Sequence, residues 1–137
     1  MRPATTLDKV LPCLASPRQE AIDDGPVLWR AGTLDISSAG VFGGELLGQT
    51  VAIAAQLDPS MTVKSVSAVF PRGVRDTGSL DYTSTTMYRG SAYATHRIDV
   101  VQPDKHGHPV TGYCAFAMCH LPGEGIEHSR SMPSPGR

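Results

Sequence analysis

The chain lacks a surplus of charge of either sign, since 12 Lys and Arg against 13 Asp and Glu leave a formal net charge of -1. No Lys/Arg run is longer than two, so the basic footprint that tracks a phosphate backbone is missing and nucleic acid is not an expected partner. Cysteine is scarce: Cys13, Cys114 and Cys119 make an odd count without CxxC spacing. Their apolar neighbours mark them as small, reduced packing residues. A long hydrophobic run is also missing from the start of the chain, where Asp8, Lys9 and two prolines interrupt residues 1–14. That excludes a signal-peptide core or a membrane span there, and the expectation is a soluble cytoplasmic protein with no membrane partner. What is present is enough apolar material, 40% of 137 residues, for the core of one domain and not two.

Residues 1–26 read as a lead-in segment, with a short helix around Thr6 to Leu11 and then a stretch through Pro17, Asp23, Asp24, Gly25 and Pro26. Val27 to Leu34 is apolar, is bounded by turn residues and carries the single tryptophan, Trp29, which predicts a first strand. The run from about Gly44 to Leu57 is too long and too rich in Ala, Leu and Gln for a strand, and Asp58-Pro59 ends it, so it predicts a helix. Its polar positions Glu45, Gln49 and Gln56 fall close to one stripe. Leu46, Leu47, Thr50, Val51, Ile53, Ala54 and Leu57 cover most of the remainder, which predicts a helix buried on several sides.

Strands are predicted at Thr62 to Phe70, Ser79 to Tyr88, Ala92 to Val101 and Val110 to His120, with turn clusters between them. In the last strand Val110, Cys114, Phe116 and Met118 share a face. The order of strand, helix and strand meander argues for an α+β domain, an antiparallel sheet with one helix against it, over residues 27–121. Residues 122–137 are rich in Pro, Gly and Ser and predict an extended or disordered tail.

Within that order, Val41-Phe42-Gly43-Gly44-Glu45-Leu46-Leu47-Gly48-Gln49 resembles the signature of the N-terminal half of the acyl-CoA thioesterase II family. Val69-Phe70-Pro71-Arg72 is similar to that family's Phe-Leu-Arg-Pro strand end, and Tyr88-Arg89-Gly90-Ser91-Ala92-Tyr93 to its Arg-Asp-Gly-x-Ser-Phe hairpin. Gly125-Ile126-Glu127-His128 with Met132-Pro133 resembles its Gly-Phe-Glu-His and Met-Pro tail. The resemblance runs from about Gly25 to Pro135 and implies a single hotdog fold, an antiparallel sheet wrapped around one central helix. The family's enzyme is a double hotdog whose catalytic Asp, Thr and Gln belong to its second half, so those residues have no counterparts here. Three matched positions also depart from the pattern: Glu45 replaces a Gln, the Arg-Asp-Gly turn has lost its Asp, and Arg-Pro-Gly has become Pro71-Arg72-Gly73.

The hotdog resemblance implies an acyl thioester substrate, carried on coenzyme A or on the phosphopantetheine of an acyl carrier protein, with no cofactor of the protein's own. A thioester carbonyl needs donors for developing negative charge, and the start of a buried helix supplies unpaired N–H groups and a favourable dipole. Gly43 and Gly44, lacking Cβ, let a carbonyl approach there, although glycines of this kind also serve close packing alone. Glu45 is the acid on the predicted helix and the candidate base or nucleophile; its other reading is a solvent-facing carboxylate at the helix dipole. In many single-hotdog thioesterases the acid comes about two turns after a His-Gly-Gly motif, and at the ungapped position this chain has Val51. Gln49 is a candidate for orienting water or a carbonyl, or else a buried structural amide.

His96 lies in a strand interior and is a candidate base paired with Glu45 or Gln49, or a satisfied core or dimer-interface histidine. Arg72 and Arg89, with Arg75 and Arg97, stand near strand ends where they would meet phosphates or remain solvated. His106 and His108 flank a hairpin tip, and no metal site is expected. The leading expectation is thus an acyl thioester hydrolase. The alternatives are a hotdog dehydratase or isomerase using His96 with Glu45, and a non-catalytic acyl-binding subunit that joins a second hotdog. A lone hotdog exposes sheet edges and apolar surface, so a homodimer is expected.

Overall fold

The computed structural model describes residues 7–22, 25–34, 40–126, 129–131 and 133–136. Thr6 of the predicted first helix, and Glu127, His128 and Met132 of the tail resemblance, lie outside them. The elements are α1 (Leu7–Leu14), β1 (Arg18–Ile22), β2 (Val27–Gly32), α2 (Gly43–Leu57), β3 (Thr62–Val69), β4 (Ser79–Arg89), β5 (Tyr93–Pro103) and β6 (Pro109–His120). All strand pairs are antiparallel, and they form one sheet in the order β1-β2-β4-β5-β6-β3. With α2 packed on it, this is the single hotdog fold expected from the sequence. No helix among the described residues is long and apolar enough to cross a membrane.

Alternation decides which side of the sheet meets α2. Leu80, Tyr82 and Ser84 of β4, Ala94, His96, Ile98 and Val100 of β5, and Tyr113, Ala115, Ala117 and Cys119 of β6 are buried. On β6 the bulkier Phe116 and Met118 are exposed, while alanines occupy the inner face. Size is the physical reason, because a helix lies close to a sheet only where the facing side chains are short. The polar partners inside this layer are matched: Trp29 Nε1 donates to Ser84 Oγ at 2.8 Å, and the Thr50 and Tyr113 hydroxyls meet at 2.6 Å.

Two features differ from the sequence reading. Residues 18–22, read as part of the lead-in, form the edge strand β1, paired with β2 through a bulge between Gln19 and Ala21. Two of the three polar-stripe residues of α2 also lie inward: Glu45 and Gln49 are buried together with Leu46, Thr50, Ile53 and Ala54, whereas Gln56 is exposed and Val51 is 42% exposed. The cause is α1, which covers that side of α2. A Cβ at Gly48 would lie 2.8 Å from Leu14 Cδ2, so glycine at this position is what lets the two helices approach.

Candidate functional site

Two polar clusters occupy opposite ends of α2. At its start, Phe42 is the N-cap without a side-chain cap bond, and its carbonyl accepts from the Glu45 and Leu46 N–H groups. The Gly43 and Gly44 N–H groups have no acceptor among the described residues, and the helix dipole at this end favours an oxygen ligand. Aromatic rings flank the pair. A Cβ at position 44 would lie 2.6 Å from Phe42 Cε1, and one at position 43 would lie 3.3 Å from Phe70 Cζ. Phe42 is 61% and Phe70 44% exposed, which leaves an apolar rim around backbone donors.

Glu45 is not the solvent-facing carboxylate of one sequence reading, being 2% exposed. Its Oε1 accepts from Leu34 N at 3.0 Å and from the Cys13 thiol at 3.6 Å. Its Oε2 is buried with no partner among the described residues. Burial raises its pKa, against the lowering effect of the Leu34 and Cys13 hydrogen bonds. Burial, together with the nearby Glu45, pushes the Cys13 thiol up to about 11, so Cys13 stays a protonated donor near neutral pH.

Gln49 is hydrogen-bonded at both ends of its amide. Its Nε2 donates to Gly32 O at 2.8 Å and to Cys13 O at 3.1 Å, while its Oε1 accepts from Tyr82 Oη at 2.6 Å. The geometry is that of a structural amide holding α1, β2 and β4 to α2. Cys13 and Tyr82 were not singled out from the sequence for this cluster, and only their contacts reveal them.

A cavity of about 330 Å³ lies between the loop after β3 and the β5–β6 hairpin, with a lining that includes Arg72, Arg75, Gln102, Asp104 and Lys105. Val41 N donates to Val74 O at 2.8 Å, which ties the segment entering α2 to the loop that carries the two arginines. Arg75 is partly fixed, its Nη2 donating to Pro103 O at 2.7 Å.

The other cluster separates His96 and Arg89 from Glu45. His96 is fully buried, and its Nε2 pairs with Asp58 Oδ2 at the carboxyl end of α2. Its Nδ1 lies 3.0 Å from Thr86 Oγ1. Arg89 Nε donates to Asp58 Oδ1 at 2.9 Å. The expected pairing of His96 with Glu45 or Gln49 therefore does not form, because the inward-facing position on β5 that His96 occupies lies beside the end of α2 and not its start. Burial would raise the Asp58 carboxyl, but the hydrogen bonds from Arg89 and His96 outweigh it and hold the group below the usual carboxylate range. Cys119 completes the group, with the donor atoms of Asp58, His96 and Cys119 all within 4.8 Å of one another. In the sequence, Asp58 had signalled only the end of the helix and Cys119 only packing.

No family model matches the chain, and no curated protein matches it. Solved structures do. The tesB protein of Mycobacterium avium subsp. paratuberculosis is similar over 96% of this chain and 49% of its own length, at 17% identity and a TM-score of 0.72. An acyl-CoA thioesterase II from Mycobacterium marinum is similar over 90% of this chain and 42% of its own, at 22% identity and a TM-score of 0.66. The chain thus spans about half the length of these two proteins or less. A hypothetical thioesterase protein of Streptococcus pneumoniae, solved with coenzyme A, matches over 83% of this chain and 91% of its own, at 14% identity and a TM-score of 0.63. At such identities the likeness is one of fold, and what this chain has in common with these proteins is the hotdog domain.

Proposed function

We propose that the protein binds an acyl thioester of coenzyme A or of a phosphopantetheine-bearing carrier protein and hydrolyses it at the start of α2. The observation that carries this reading is the start of α2, where the Gly43 and Gly44 N–H groups have no acceptor among the described residues and the Val41 N to Val74 O bond ties the segment to the loop that bears Arg72 and Arg75. The phosphates of the carrier group would meet Arg72, with Lys105 in the same cavity wall. The carbonyl would accept from the Gly44 N–H, and the acyl or pantetheine chain would pass between Phe42 and Phe70.

Glu45 Oε2 serves as the base. It takes a proton from water, the water oxygen bonds to the carbonyl carbon, the C–S bond breaks, and the proton passes to the departing thiolate, giving a carboxylic acid and a free thiol. Burial raises the Glu45 pKa, which makes its carboxylate a stronger base. The sequence motifs support a relation to the N-terminal half of acyl-CoA thioesterase II, the mycobacterial structures support the fold alone, and a homodimer would supply the second hotdog of the double domain.

A dehydratase using His96 with Glu45 finds no support in this geometry, since His96 pairs with Asp58. A second reading, a subunit that works with a separate hotdog partner, is favoured by the exposed apolar residues Val69 and Phe70 at the end of β3. Incubating the purified protein with a panel of acyl-CoA and acyl-pantetheine thioesters, followed by mass spectrometry, tests both. Free acid and free thiol are expected. Unchanged thioester with the protein alone, but turnover once a second hotdog protein is added, would replace the first reading with the second.

A further inference from the structure

We propose that Asp58, His96 and Cys119 form a binding site for one divalent cation of the zinc type. The three residues come from the carboxyl end of α2, from β5 and from β6, all are buried, and their donor atoms lie within 4.8 Å of one another. Zinc bonds to N, O and S donors are about 2.0–2.3 Å long, which sets tetrahedral ligands roughly 3.5 Å apart. Side-chain adjustments of about an ångström, parting the His96–Asp58 pair and drawing Cys119 in, would therefore form the site. A thiolate, an imidazole and a carboxylate together select a borderline-soft ion such as Zn²⁺ or Co²⁺ over Mg²⁺ or Ca²⁺, which take all-oxygen shells.

The surroundings carry the argument further. Ligating histidines hold their other ring nitrogen in a hydrogen bond, and ligating carboxylates are themselves hydrogen-bonded. Here Nδ1 of His96 lies against Thr86 Oγ1 and Arg89 holds Oδ1 of Asp58, while Nε2 and Oδ2 face each other in a hydrogen bond that the ion would replace by entering between them. The site also sits at the carboxyl end of the 15-residue α2, where the helix dipole favours a cation. Cys119 gives up its thiol proton to solvent on binding, so uptake releases at least one proton. Water would complete a four-coordinate shell. The site is independent of the thioester reading, whose residues lie at the other end of the helix.

The test uses intact protein stripped with chelator and titrated with Co²⁺ alone and, separately, with Zn²⁺ alone. One equivalent of Co²⁺ should bind with a thiolate-to-metal absorption band, and Zn²⁺ should displace it and raise the thermal midpoint. Cys119→Ser, a near-isosteric change whose folding is checked by circular dichroism, should lose the band and the stoichiometric binding. Arg89→Ala should weaken binding by about 10–100-fold. The double change His106→Asn with His108→Asn, on an exposed hairpin, should leave it intact. Folded wild-type protein that takes up no metal would overturn the site, as would binding that survives in folded Cys119→Ser or disappears with the hairpin histidines.

Discussion

Tyr82 donates its hydroxyl to Gln49 Oε1 at 2.6 Å, and this bond fixes which side of α2 meets the sheet. Gln49 also holds the carbonyls of Cys13 and Gly32, so one amide joins both helices to two strands. Gln49→Ala would leave the buried Tyr82 hydroxyl without its partner, at about 1–3 kcal/mol, while the Cys13 carbonyl keeps Ser16 and the Gly32 carbonyl keeps the weak Cys13 thiol. With the two lost carbonyl bonds added, the expected loss is about 2–4 kcal/mol by urea unfolding. Tyr82→Phe removes a single donor and should cost less, about 1–2 kcal/mol. An unchanged urea midpoint in Gln49→Ala would show that the amide does not hold α1 in place.

Glu45→Gln separates chemistry from stability. If Glu45 is the base, turnover of an acyl-CoA should fall by about a hundredfold or more while the protein stays folded. Stability should move the other way. The folded-state pKa is raised, so the folded protein prefers the protonated acid, and the preference is fully present below the unfolded pKa of about 4.3. It is lost as pH rises through the folded value, because ionising the buried group then costs energy. Wild type should therefore lose stability relative to Glu45→Gln on going from acid to neutral pH. Full activity in the variant would remove Glu45 from the mechanism.

Asp58 has the opposite sign. Its carboxyl is held below the usual range, so its stabilising contribution is present above the unfolded pKa of about 3.9 and is lost as pH falls through the folded value. Asp58→Asn should narrow the stability gap between neutral and acid pH, measured by denaturant unfolding at each pH. An Asp58→Asn protein with the same acid sensitivity as wild type would place that sensitivity in other carboxylates.

The elements were legible in the sequence wherever a side-chain period met turn residues. Leu80, Tyr82 and Ser84 alternate inward along β4, and Asp58-Pro59 marked the end of α2. β1 was not legible, because Arg18-Gln19-Glu20 carries no apolar alternation and an edge strand needs little. The candidate start of α2, with Gly43, Gly44 and Glu45, could be named from its motif. Which way the polar stripe faced could not, because periodicity registers residue type while burial depended on α1 covering Glu45 and Gln49. The His96–Asp58 pair spans 38 positions, and no local pattern encodes a contact made only when β5 packs beside the end of α2.

Arg72→Ala tests the basic cavity. If this guanidinium meets a carrier phosphate, KM for an acyl-CoA should rise by about tenfold, with kcat little changed, since the contact is equal in ground and transition states. The same change should leave KM for a short acyl-pantetheine, which lacks the nucleotide phosphates, unaltered. An equal effect on both substrates would mean that Arg72 supports the loop and does not bind phosphate.

Assembly follows from the ends of the sheet. β1 and β3 are its two edge strands, and each leaves one row of backbone donors and acceptors outside the ladder. At the end of β3, Val69 and Phe70 are exposed, beside the Gly43 position, so apolar surface continues from the strand edge to the start of α2. A second copy placed against β3 by a twofold axis would cover that surface and extend the sheet, and it would bring residues of both chains to each candidate site. Light scattering at micromolar concentration should then report about 29 kDa, twice the 14.5 kDa chain mass. Introducing a charge at the seam, as Val69→Lys, should shift the population toward monomer and lower turnover together, because a site lined by two chains is dismantled with the dimer. A 14.5 kDa species that hydrolyses acyl-CoA at an undiminished rate would defeat the shared-site arrangement, and dimerisation only in the presence of another protein would point to a hotdog partner of different sequence.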